Sequence, residues 1–180
     1  MRYNNIIFVG YMVNTSPNPN NTYPGYKKQE EDIANRRMLM LAAIESAKRA
    51  VPKSSKCLKI FMAPEFYFRG TKGAYDFEKM IQLIDSLQFA VRNSTFKDWL
   101  FIFGSILGYS YNDTSDKLEV YNMVLVQKGS RGHEGAHVIL KEHLSHIDFY
   151  SRGKRPKRRN SINFKQEDVV HLHVISGPGW

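Results

Sequence analysis

Leu58-Lys59-Ile60-Phe61-Met62-Ala63-Pro64-Glu65 is the stretch on which the fold turns. It is apolar apart from Lys59, has the length of a strand, and is stopped by Pro64, which has no N–H for a ladder. On both sides the pattern becomes helical. Upstream, Gln29 to Ala50 repeats Ile33, Met40, Leu41, Ile44 and Ala47 at spacings of three, four and seven, and Pro52 closes the segment. Glu30, Glu31 and Asp32 suit the positive end of that helix's dipole. Downstream, Phe77, Met80, Ile81, Ile84, Leu87 and Val91 form one apolar stripe of a second helix. A strand set between two helices implies a sheet that is at least partly parallel, with helices packed on it.

Further out, Ile6-Ile7-Phe8-Val9 lacks alternation, which suits a strand covered on both faces. Asn14 to Gly25, rich in Asn and Pro, reads as a long loop. Leu100 to Leu107, Glu119 to Gln127, His137 to Leu140 and Val169 to Ile175 complete the expected strands. The order begins β-α-β-α-β-β, so the class is α/β, and 180 residues suit one domain, 1–180.

Composition closes several other routes. Hydrophobic residues at 42% and aromatics at 13% exclude disorder over most of the length. No apolar run approaches the roughly 20 residues of a membrane-spanning helix, so no membrane partner is expected. The opening run leads into Asn14-Thr15-Ser16-Pro17 rather than a small-residue cleavage site, a poor fit to a signal peptide. The lone Cys57 excludes an internal disulfide and a Cys-cluster zinc site; cytoplasmic residence is the simplest inference. The net charge is +9, but Arg152, Lys154, Arg155, Lys157, Arg158 and Arg159 supply six of those charges. Residues 151–160 therefore read as a basic loop available to a polyanion rather than as one part of a basic face. The loop contains no aromatic residue, so stacking on exposed bases is not indicated.

Two residues stand where α/β folds place their chemistry, just past strand ends. Glu65 follows one strand, and its neighbours Phe66, Tyr67 and Phe68 would desolvate it, making it a stronger base. Lys141 follows another, where an ammonium can steady a developing oxyanion.

Taken together with Asn35 on the first helix, Pro64-Glu65, Phe103-Gly104-Ser105, Tyr121-Asn122 and Leu140-Lys141-Glu142-His143, this order resembles the N-terminal half of the nitrilase, or carbon-nitrogen hydrolase, superfamily. The resemblance implies an α-β-β-α sandwich with helices flanking two sheets, represented here by something less than the complete family domain. It implies a Glu-Lys-Cys triad with Glu65 as general base and Lys141 as its lysine. Tyr67, Asn122 and His143 fall at substrate-binding positions on the same reading. The implied partners are a small amide or nitrile substrate and a second copy of the chain in a homodimer; no cofactor is implied.

The nucleophile is the gap. Cys57 precedes Glu65 by eight residues, and at about 3.3 Å per residue an extended stretch would separate them by roughly 26 Å. Cys57 reads as a small apolar residue at a strand start. In the family the cysteine follows the lysine by a few tens of residues, after a buried strand; here that place is held by Ser176 or lies beyond Trp180. Three readings stay open: part of a longer enzyme, a serine nucleophile at Ser176, or a nitrilase-like protein without catalysis that binds polyanions through its basic loop. A further alternative is a metal-dependent hydrolase, because all six histidines lie between His133 and His173, with His143, His146 and Asp148 close in sequence and His171 and His173 on one side of a strand.

Overall fold

The computed structural model describes residues 3–19, 23–112 and 117–141. The chain runs β1 (Asn5–Gly10), α1 (Gln29–Ala50), β2 (Cys57–Met62), a two-residue β3 (Tyr75–Asp76), α2 (Phe77–Ala90), β4 (Trp99–Asn112), β5 (Lys117–Lys128) and β6 (Ala136–Leu140). One sheet takes the order β1-β2-β4-β5-β6, with β3 paired to β4 off that path. β1, β2 and β4 are parallel, and β4, β5 and β6 form an antiparallel meander.

This order dictates where the helices go. The connections from β1 to β2 and from β2 to β4 both step the same way along the sheet, and right-handed crossovers that step the same way fall on the same face. Accordingly Met40, Ile44 and Ala47 of α1 and Met80, Leu83, Ile84 and Leu87 of α2 share one core with Phe61, Phe101, Phe103 and Leu125. The rings of Phe101 and Phe103, two residues apart on β4, stack at 5.7 Å between centroids.

The opposite face is also apolar, and no described element covers it. The register sets Ile6 beside Leu58, Phe8 beside Ile60, Met62 beside Ile102 and Val124 beside Ile139, all on that face. None of these side chains belongs to the core. β1 therefore departs from the expectation of a strand covered on both sides. Among the described residues it is an edge strand paired with β2 alone, and Ile6 and Phe8 are 56% and 68% exposed. Its unbroken apolar run has one set of alternate residues on the helical core and the other on the bare face.

Candidate functional site

β2 and β6 run in the same direction, because two antiparallel pairings intervene beyond β4. Their C-terminal ends thus meet one edge of the sheet, three strand spacings or roughly 14 Å apart. The side chains close that gap: Lys141 Nζ donates to Glu65 Oε1 at 3.1 Å, although the residues are 76 positions apart in the chain. β5 lies between, and its Asn122, buried at 1% exposure, joins both partners. The Asn122 carbonyl accepts from Lys141 N at 2.8 Å, and its Nδ2 approaches the same Glu65 oxygen at 3.5 Å.

The loop that presents Glu65 is shaped by β4. Phe66 has φ +62°, an uncommon conformation for a residue with a side chain, and its N–H donates to the buried Ser105 Oγ at 2.7 Å. Two residues on, Phe68 N donates to Ser105 O at 3.1 Å, so the loop rejoins the sheet beside β4. β4 makes room through a bulge between Ile102 and Ser105. Within it Gly104 has φ +76°, and a Cβ there would lie 2.3 Å from Pro64 O. Gly104 and Ser105 thereby place the main chain that carries Glu65.

A second set of contacts fastens the same loop to α1. Asp32 is 1% exposed and accepts from Arg36 Nε at 2.8 Å, from Tyr26 N at 2.9 Å and from the Tyr75 hydroxyl. Arg36 in turn donates to Tyr67 O at 2.7 Å and to Pro24 O, while the Tyr67 hydroxyl donates back to Arg36 O at 2.9 Å. Burial raises the phenol pKa of Tyr67 and of Tyr75 far above the ordinary value, so both hydroxyls stay protonated donors. Arg69 lies over the rings of Tyr23 and Phe66, at 4.1 and 4.4 Å from their centroids, and Lys141 Nζ is 5.7 Å from the same Phe66 ring.

Of the residues singled out from sequence, Glu65, Lys141 and Asn122 come together. Tyr67 is buried with its hydroxyl spent on α1, which makes it a packing residue. The aromatic enclosure expected around Glu65 does not form. Tyr67 and Phe68 turn into the core, and the Glu65 side chain is 51% exposed against 35% for Lys141. Cys57 is buried at the opposite end of β2 from Glu65, as its strand-start reading requires, and its thiol donates to Leu58 O. Ser176, His143, the strand expected at Val169 to Ile175 and the basic loop lie outside the described residues, as do His146, Asp148, His171 and His173. Among the described residues no group of three or more His, Cys, Asp or Glu side chains is placed to hold a metal ion, and no helix is long and apolar enough to cross a membrane.

Sequence reasoning read Asp32 only as a dipole partner and missed Arg36 and Arg69. The signal available for the first two was their spacing of four on a helix, which reads equally as an ordinary surface ion pair. Comparison with family models, curated proteins and solved structures returns no match.

Proposed function

We propose that the chain carries the acid-base half of a hydrolase site acting on a non-peptide carbon-nitrogen bond of a small amide or nitrile. One observation carries this reading: Lys141 and Glu65, from strand ends 76 positions apart, meet at 3.1 Å at the C-terminal edge of the sheet. There Glu65 takes the proton of the attacking nucleophile, and the Lys141 ammonium lowers the energy of the negative charge that develops on the substrate oxygen or nitrogen. For an amide, the nucleophile displaces the amine, which leaves with that proton, and water then hydrolyses the acyl intermediate. The nucleophile comes from outside the described residues, at Ser176 or at a cysteine beyond Trp180. The bare apolar face of the sheet supports the four-layer sandwich that goes with this chemistry, since a second sheet is what packs on such a face.

The test is turnover of a panel of short aliphatic amides and nitriles. Glu65→Gln is expected to lower turnover by at least about 100-fold, the scale of a lost general base, with the circular dichroism unchanged. Lys141→Met should do the same. In a chain that turns the panel over, equal turnover in either variant overturns the reading.

A further inference from the structure

The helical layer carries a concavity none of whose residues belongs to the site above. Between α1 and the end of α2 lies a cleft of about 570 Å³, lined by Arg37 and Leu41 from α1 and by Phe89, Ala90, Arg92 and Asn93. Its polar residues include two arginines and no acid, and three observations separate it from an ordinary charged surface.

First, neither arginine is neutralised among the described residues. The ion pairs of the two helices engage Lys28, Arg36, Lys48 and Lys79. The positions three and four away from Arg37 are Ile33, Ala34, Met40 and Leu41, so α1 offers it no carboxylate along its own face. Second, Arg37 is packed down rather than trailing in water: its Nε is buried with no hydrogen-bond acceptor. Third, the Arg92 guanidinium lies over the Phe89 ring, 3.6 Å from its centroid. A stacked guanidinium is held flat and donates in its own plane, which suits the two oxygens of a carboxylate or phosphate.

Beside these cations, Leu41, Ala90 and a Phe89 that is 58% exposed give the cleft an apolar lining. We propose that this cleft binds a small organic anion. Arg37 and Arg92 hold a carboxylate or phosphate group, and Phe89 and Leu41 take the aromatic or aliphatic body that carries it. The proposal stands independently of the hydrolase reading.

The experiment is calorimetric titration of the 180-residue chain with phenyl phosphate, benzoate and inorganic phosphate at low ionic strength. Saturable binding of at least one of the two aromatic anions is expected, and the tighter of the two assigns the head group. Arg37→Gln and Arg92→Gln should each weaken it about tenfold, the loss expected for one charge-assisted hydrogen bond. Phe89→Ala should weaken the aromatic anions while leaving inorganic phosphate unchanged. Replacing the six cations between Arg152 and Arg159 with glutamine should leave the affinity as it was. The proposal is overturned by absence of saturable binding, or by unchanged affinity in a natively folded Arg37→Gln/Arg92→Gln double variant. Loss of binding only in the 152–159 variant overturns it as well. If Arg92 serves only the negative end of the α2 dipole, its replacement lowers stability without moving the anion affinity, which also counts against the cleft.

Discussion

Gly104 and Ser105 do more to place Glu65 than any residue in contact with its carboxylate. An alanine at 104 would have to keep φ at +76° and would set its Cβ 2.3 Å from Pro64 O. Gly104→Ala is therefore expected to lower stability by at least about 2 kcal/mol, combining positive-φ strain with a backbone clash. Ser105→Ala, which leaves the Phe66 N–H unpaired, should lower it by about 1–2 kcal/mol. Urea denaturation measures both, and an unmoved midpoint for Gly104→Ala would refute this account of the loop. Tyrosines make a second test at the same scale. Burial, with a hydrogen bond to Asp76, pushes the Tyr109 phenol up to about 12 from 10.0, and Tyr67 and Tyr75 move in the same direction. The folded state then holds protons that the unfolded state releases above pH 10. The Tyr109 contribution is complete below pH 10 and is lost as pH rises through about 12, and those of Tyr67 and Tyr75 also decline as pH rises above 10. Denaturation midpoints followed from pH 9 to 12 should fall, and a rising midpoint would contradict the burial of these groups.

At the scale of elements, α1 acts as an anchor for two loops as well as a packing surface. The buried Asp32 carboxylate binds Arg36, Tyr26 N and Tyr75 together, tying residues 23–26 and the segment from Tyr67 to Tyr75 to one helical turn. Removing one side of a buried ion pair leaves the other charge uncompensated, so Asp32→Ala should lower stability by about 3–5 kcal/mol. Chemical denaturation checks this, and a change under about 1 kcal/mol would mean that the network is dispensable. The legible and illegible parts of the chain divide at this level. The helices and the main strands could be read because each is a run of five or more residues with a clear period or an unbroken apolar pattern, and α1 spans the Gln29 to Ala50 read from its spacing. β3 is two residues long and has no period. The bulge at Gly104 and the positive φ of Phe66 depend on a close approach between chain segments about 40 residues apart, which no local pattern encodes. Asp32 reads from sequence only as a dipole partner at a helix start; the loops folded over it bury it. Glu65 and Lys141 were visible because chemistry in α/β folds collects at strand ends, and Asn122 only through the family resemblance, whereas the exposure of Glu65 depends on where its aromatic neighbours turn.

At the scale of the whole molecule, the apolar face of the sheet opposite the helices decides between architectures. Phe8 is 68% exposed to the described residues. At a solvated position a substitution changes stability by no more than about 0.5 kcal/mol. Under the four-layer reading that face is covered, and Phe8→Lys should cost about 2–3 kcal/mol by taking an aromatic ring from a buried layer and placing a charge there. A neutral Phe8→Lys in the 180-residue chain, measured by denaturant unfolding, would show that no part of these 180 residues covers that side of the sheet.

The pairing of Glu65 with Lys141 also sets an order of events during synthesis. The acid is synthesised 76 positions before its amine, so β4, β5 and β6 must all be made before the pair can close. A nascent chain that has completed both crossovers has its helices and parallel strands, yet still lacks the β5 share of the core and the pair. The edge where these two strand ends meet is completed only by the last described strand of the meander.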